Sequence, residues 1–293
     1  MAQLVRRRDG ATFPLSDETV VGRSRAADLR LDDASVSALH ASFHFGSAGW
    51  SIRDLGSRNG TQINGKPVAR GTSRPLRLED ALAFGEGHEV WVLRRDGSPE
   101  PLARSSSGAV AKGADGMLPI PSASEPAVTV LWDADLGWRL EDPEAKDVRP
   151  VEDRETVRVG TDTWTLRLPQ GLLETQPGTR WDFATAQLSV RPSASDRAAV
   201  LRVEQRGATA SYELGSTATF FTLLIQARLD SPEGWIDRSN VLDALGVNGS
   251  HLNVLVFRLR RLFSDAGFAD AAAVVQRQRT RMRLGSTRVR FED

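Results

Sequence analysis

Along the first ~97 residues apolar and polar positions alternate in short runs broken by turn residues, the period-2 pattern of half-buried strands. Ser51-Ile-Arg-Asp-Leu55 alternates and then meets Gly56-Ser-Arg-Asn-Gly60, and Gln62-Ile63 leads into Asn64-Gly65. An Asn-Gly pair tolerates positive φ and predicts a tight hairpin turn. Glu89-Val-Trp-Val-Leu93 is a further strand. Strands this short, at intervals of about 8–12 residues, predict a β-sandwich or barrel. From 98 to 126 the chain turns to Pro, Ser, Gly and Ala, ending in Pro119-Ile-Pro-Ser-Ala-Ser-Glu-Pro126, and reads as a linker. Strand patterns return over 127–185 (Val128-Thr-Val-Leu-Trp132, Trp164-Thr-Leu-Arg-Leu168), followed by a second turn-rich stretch. This segment is expected to be a small β module of unassigned role.

Over 186–293 the period changes. Strands at Leu188-Ser-Val, Val200-Leu-Arg-Val and Thr209-Ala-Ser-Tyr-Glu-Leu214 precede three helical segments. The third is the most regular: Leu252, Leu255, Val256, Leu259, Leu262 and Phe263 follow the i, i+3, i+4, i+7 spacing, with Gly267 as the stop. Two Arg-rich runs around Gly285-Ser286 then suggest a final hairpin. The expected architecture is multidomain, mainly β, with a C-terminal α+β domain.

Composition narrows the chemistry. The 293 residues hold 38 Lys+Arg against 38 Asp+Glu, so no uniformly basic coat exists for nucleic acid. There is no cysteine, hence no disulfide and no thiol nucleophile, and the four histidines lack metal-ligand spacing. No run of about 20 apolar residues and no signal peptide is present, which points to a cytoplasmic protein with no membrane contact. No Gly-rich phosphate loop, Ser-His-Asp set or carboxylate pair stands out. Neither an enzyme, a cofactor nor a metal is expected.

The candidate chemistry lies in three loops: Gly22-Arg23-Ser24, Ser35-Val-Ser37-Ala-Leu-His40 and Ser57-Arg58-Asn59-Gly60-Thr61. A guanidinium can grip a phosphate dianion with two charge-assisted bonds, a Ser hydroxyl can donate another, and an Asn amide can pair with a peptide main chain. In order and spacing these segments, with Asn64-Gly65 behind them, resemble the forkhead-associated (FHA) domain over residues 1–97. The resemblance implies an eleven-stranded β-sandwich whose apical loops bind phosphothreonine. It implies that Arg23 and Ser37 hold the phosphate, that Asn59 anchors the peptide main chain and that Arg58 lines the same loop. Gly22, His40, Gly60, Thr61, Asn64 and Gly65 match positions that shape the loops. The two positions after Ser37, often polar or basic in that family, are here Ala38 and Leu39. The partner implied is a Thr-phosphorylated protein, with an autophosphorylated Ser/Thr kinase the favoured source.

Residues 186–291, around Phe257-Arg258-Leu-Arg260-Arg261, resemble the winged-helix effector domain of OmpR-type response regulators. In that family the third helix enters the major groove and the hairpin wing touches DNA beside it. Between 250 and 291 nine arginines face two aspartates, a local excess of +7. Candidate contacts are Asn253, Phe257, Arg258, Arg260 and Arg261 on the helix, all expected to point outward. Arg277, Arg279, Arg281 and Arg283 alternate and are expected to share one face of the hairpin. Apolar Phe257 suits a protein partner as well as a thymine methyl. Two readings therefore stand: a phosphorylation-responsive regulator acting on DNA, and a phospho-dependent adaptor that binds only proteins. The oligomeric state is not encoded in any motif.

Overall fold

The computed structural model describes residues 1–133, 135–169, 181–192 and 199–292. The second turn-rich stretch falls largely outside the described residues. The chain separates into two units, one holding Met1–Glu100 and the other holding Pro101–Arg167 with the described residues from Trp181 onward.

In the first unit the predicted alternation produces two β-sheets. One has six strands in the order Thr12–Pro14, Gln3–Arg6, Val90–Arg95, Ala81–Phe84, Thr61–Ile63, Lys66–Pro67. The other has five, in the order Leu29–Arg30, Glu18–Gly22, Ala41–Gly46, Gly49–Asp54, Ser73–Pro75. Inward-facing Leu4, Leu82, Phe84 and Leu93 from the first meet Val21, Phe43 and Ile52 from the second in one buried cluster. At about 1.5–3 kcal/mol for each fully buried large side chain, that layer is the main stabilising term of the unit. Asn64 and Gly65 take φ of 51° and 75° between Thr61–Ile63 and Lys66–Pro67, the paired positive values a two-residue hairpin needs.

The second unit contains the segment expected to be a linker. Residues 98–126 instead carry strands Leu102–Ser105, Val110–Lys112 and Met117–Pro121. The apolar residues are few but placed to bury: Leu102, Ala103, Met117, Leu118 and Ile120 are all essentially inaccessible. Position outweighs composition here. Leu102–Ser105 pairs with Val110–Lys112 and Asp162–Arg167, and Met117–Pro121 pairs with Pro126–Asp133, so two four-stranded sheets combine strands of this segment, two in one and one in the other, with strands that follow it.

Further on, Gln187–Pro192, Ala199–Gln205 and Ala208–Glu213 form an antiparallel sheet that Val289–Phe291 joins in parallel. Three helices follow: α1 (Ala218–Asp230), α2 (Arg238–Leu245) and α3 (Gly249–Asp265). Asn248 caps α3 by accepting the His251 amide at 2.9 Å. Gly267, the expected stop, adopts φ 88°. The apolar stripe Leu252, Leu255, Val256, Leu259 and Phe263 is buried as the spacing requires, packed with Phe220, Phe221 and Leu224 of α1. The final hairpin pairs Val275–Gln278 with Arg281–Leu284 and with Ile236–Asp237, turning at Arg279-Thr280 rather than around Gly285-Ser286, after which Val289–Phe291 leaves for the other sheet. No helix among the described residues is long and apolar enough to cross a membrane.

Candidate phosphopeptide loops and the α3 face

The three loops singled out in the sequence converge at one end of the first unit, joined by direct hydrogen bonds. The Arg23 amide donates to Ser37 O at 3.0 Å, and Arg23 Nε reaches Val36 O at 3.3 Å. The Arg58 amide donates to Ser37 Oγ at 3.0 Å, and Asn59 Nδ2 donates to Ser35 O at 2.9 Å. Because Ser37 Oγ already accepts from Arg58, its own proton is free to donate outward. Arg23, Arg58 and Asn59 are exposed, and no carboxylate pairs with either arginine among the described residues. Arg70 Nη2 donates to Arg58 O at 2.9 Å and adds a further cation to that side.

Architecture beneath the loops explains the other positions of the pattern physically. His40 is fully buried: its Nδ1 accepts the Ser37 amide at 3.1 Å and its Nε2 lies 3.0 Å from Gly60 O. An acceptor at Nδ1 places the proton on Nε2, so His40 is neutral and bridges two loops. Burial pushes its pKa below the ordinary 6.5, against smaller opposing effects of Gly60 O and the Asp54 charge. Gly22 is required by close approach, since a Cβ there would lie 2.2 Å from Ala38 O. Thr61 Oγ1 donates to Asp54 Oδ2 at 2.7 Å, and Ser57 Oγ donates to the same oxygen at 2.6 Å. Burial opposes ionisation of Asp54, but these hydroxyls and the Ser57 and Gly56 amides outweigh it and hold its pKa below 3.8.

Sequence reasoning missed this Asp54 hub and also Ser35. The Ser35 hydroxyl donates to Asp33 at 2.7 Å and accepts from the Glu86 amide at 3.1 Å, tying a distant loop into the cluster. With His88 beside it as well, Asp33 is lowered to about 2. The Asp-x-Ser spacing of 33–35 was the available signal. Ala38 and Leu39 are exposed on the rim and present no side-chain donor.

The family model of the FHA domain matches residues 19–85. The N-terminal region carries an FHA domain. The chain is 36% identical over 84 residues to an oxoglutarate dehydrogenase inhibitor of Corynebacterium efficiens, covering 28% of this chain and 57% of that protein. It is 40% identical over 84 residues to the glycogen accumulation regulator GarA of Mycolicibacterium smegmatis, covering 28% of this chain and 46% of the relative. The chain thus spans about half the length of the curated relatives it matches. Among solved structures, the FhaA FHA domain complexed with the intracellular domain of Rv3910 aligns at 28% identity and TM-score 0.29, covering 32% of this chain and all of that one.

The second candidate surface, α3 with the hairpin, departs from expectation. Arg260, expected to face outward, is 1% exposed. Its Nη1 and Nη2 each donate to a Glu141 carboxylate oxygen at 2.8 Å, while Nε and Nη2 reach Ala272 O and Val275 O. Glu141 belongs to strand Gly137–Asp142 of the β module, so that module covers the back of α3. Burial disfavours the Glu141 charge, but Arg260 outweighs it, and the carboxylate stays below its ordinary 4.5. Arg261 pairs with Asp115 at 2.9 Å and with Asp265 at 3.0 Å, and Ser264 donates to Asp115 at 2.8 Å. Asn253 is buried too, accepting from Arg277 Nη2 at 3.2 Å. Of the helix candidates Arg258 is exposed, Phe257 and Arg261 are half-exposed, and Asn253 and Arg260 are buried.

The hairpin arginines do not share a face. Arg277 lies opposite buried Met282, whereas Arg281 and Arg283 lie opposite Gln278 and Gln276 on the other side. The alternation spans a turn, with Arg279 at φ 48° in it, and a turn resets which face each residue takes. Arg283 instead stacks 4.4 Å from the Trp235 ring. Arg277 is pushed down to about 10, chiefly by burial, with Glu141 opposing and Arg260 and Arg238 adding to the shift. Among the described residues no group of three His, Cys, Asp or Glu converges as a metal site.

Proposed function

We propose that this protein is a non-enzymatic, cytoplasmic signalling adaptor that recognises a phosphothreonine on a protein partner through its FHA loops. Arg23 and Ser37 hold the phosphate, Arg58 adds charge beside it, and Asn59 anchors the peptide main chain. The observation that carries this reading is the convergence of those four residues, held by hydrogen bonds to Ser37 and Ser35, with no carboxylate among the described residues paired to the Arg23 or Arg58 guanidinium. A rigid set of donors loses little entropy on gripping a dianion. The partner is a Ser/Thr kinase or a protein that such a kinase phosphorylates. The test is fluorescence anisotropy with phosphothreonine and unphosphorylated versions of one peptide library. Binding by the phosphorylated form alone, abolished in Arg23→Ala, is expected; equal binding by parent and variant refutes the assignment.

The sheet, three-helix and hairpin order of the C-terminal unit supports a winged-helix-like output module of the OmpR type. The adaptor reading is favoured over transcriptional regulation because Arg260 and Asn253 are buried and Arg261 is spent on Asp115 and Asp265. A helix packed on its core side and on its β-module side cannot also lie in a major groove. Titration of random duplex at low salt separates the two readings: no salt-dependent binding is expected, and a steep salt slope restores the DNA reading.

A further inference from the structure

We propose that the C-terminal unit docks an extended segment of a partner protein as an added β-strand along Ala208–Glu213, its apolar side chain entering the groove beside Phe257 and an acidic side chain meeting Arg258. The inference rests on the adaptor reading and supplies the second surface an adaptor needs.

The first argument is the backbone. Among the described residues Ala208–Glu213 is the terminal strand of its sheet and pairs on one side only, in unbroken register with Ala199–Gln205. Exposed edges are ordinarily blunted by proline, bulges, a covering element or charged side chains, lysine above all, and here the single charge is Glu213 at the end of the strand. The other edge strands of the four-stranded sheets in this unit follow that rule. Val110–Lys112 ends in Lys112, Met117–Pro121 contains Pro119 and Pro121, and Asp147–Pro150 contains Arg149 and Pro150. Thr156–Val159 carries Arg158 and Val289–Phe291 carries Arg290. Ala208–Glu213 is six residues long and has neither proline nor a basic residue. Its free edge offers amides and carbonyls that only an extended chain can satisfy in series.

The second argument is the groove beside that edge. Ser211, Tyr212 and Glu213 form one wall, and Phe257, Arg258 and Leu262 of α3 form the other, around a volume of about 680 Å³. A groove between a sheet edge and a helix is the setting of strand-addition recognition, in which main-chain bonds hold the peptide and alternate side chains fill the groove. Phe257 and Leu262 accept an apolar side chain there.

Charge fixes the rest of the partner's chemistry. Arg261 is already neutralised by Asp115 and Asp265, whereas Arg258 is exposed and, among the described residues, hydrogen-bonds the Ser216 hydroxyl at 3.4 Å and no carboxylate. Glu213 and Asp265 line the same groove; Asp265 is paired with Arg261, so Glu213 is the acid that discourages a second acid near its own end of the strand. The segment that fits is therefore extended, with alternating apolar residues and one acidic residue opposite Arg258.

The experiment selects a random twelve-residue phage library on the full chain and measures the enriched peptides by anisotropy against parent, Arg258→Glu and Phe257→Asp. Expected are alternating apolar sequences with an acid, whose affinity falls tenfold or more in both variants, and added hydrogen-exchange protection over 208–213. Arg258→Glu, at an exposed site, keeps the test valid should Phe257→Asp misfold. No enrichment, or enriched peptides indifferent to both changes, overturns the proposal. So does concentration-dependent self-association of the parent that these substitutions abolish, which would make a second copy the occupant. Phosphothreonine-peptide binding is measured on the same proteins. Its absence in the parent defeats the adaptor reading, whereas its presence without groove binding defeats this proposal alone.

Discussion

In the FHA loops Arg23 and Arg58 stand exposed with no carboxylate among the described residues against them, whereas on α3 Arg260 is 1% exposed and clasped by Glu141. The two regions spend the same side chain differently. A guanidinium left unpaired on a rigid loop is available to a ligand anion, and one desolvated against a carboxylate is a structural fastener. A cluster of arginines along the chain is a binding footprint only where the fold leaves their charge unneutralised.

The comparison breaks most visibly at its buried end. Glu141→Ala leaves Arg260 charged and unpaired inside the C-terminal unit and is expected to cost about 3–5 kcal/mol, read from urea unfolding. Replacing both partners by apolar residues should recover most of that loss. At the exposed end, Arg23→Ala should leave stability within about 0.5 kcal/mol of the parent. It should weaken phosphopeptide binding 100-fold or more, since charge-assisted hydrogen bonds contribute about 1.5–3 kcal/mol each. A destabilised Arg23→Ala, or an unaffected Glu141→Ala, would erase the distinction.

His40 provides a smaller, pH-dependent test. Its pKa is lower folded than unfolded, so below the ordinary 6.5 the unfolded chain binds more protons and stability falls as the pH is lowered. The loss is at most about 1.4 kcal/mol per pH unit and is absent above that range. Melting curves of parent and His40→Gln between pH 7.5 and 5.5 should diverge in slope, and parallel slopes would contradict a buried neutral imidazole. The smallest effect is a gain. Leu39→Arg should restore a donor on the rim and tighten phosphopeptide binding by about 0.5–1.5 kcal/mol, measured by calorimetry.

Much of the FHA domain was legible because its loops carry chemistry in short, local motifs. Gly22-Arg23-Ser24, Ser37 with His40, and Ser57-Arg58-Asn59-Gly60-Thr61 each announce a turn and a donor within a few residues. Asp54 and Ser35 were not legible, since a buried acceptor hub is defined by what converges on it from several strands. In the C-terminal unit the helical period identified α3 and its core stripe correctly. The same period placed Asn253 and Arg260 outward, because an amphipathic pattern marks the face that meets the core and says nothing about a second neighbour on the polar face.

By itself the sequence determined the alternating strands of the N-terminal sandwich, the Asn64-Gly65 turn, the phosphate-type loops and the apolar stripe of α3, all of which follow from local periodicity and turn chemistry. Tertiary structure alone decided that 98–126 folds into sheets, that Arg277 and Arg281 part company across a turn, and that Glu141 removes Arg260 from the surface. Glu141 and Arg260 are 119 residues apart along the chain. A contact at that separation has no local signature, and its energy depends on a desolvation that only the assembled layers create.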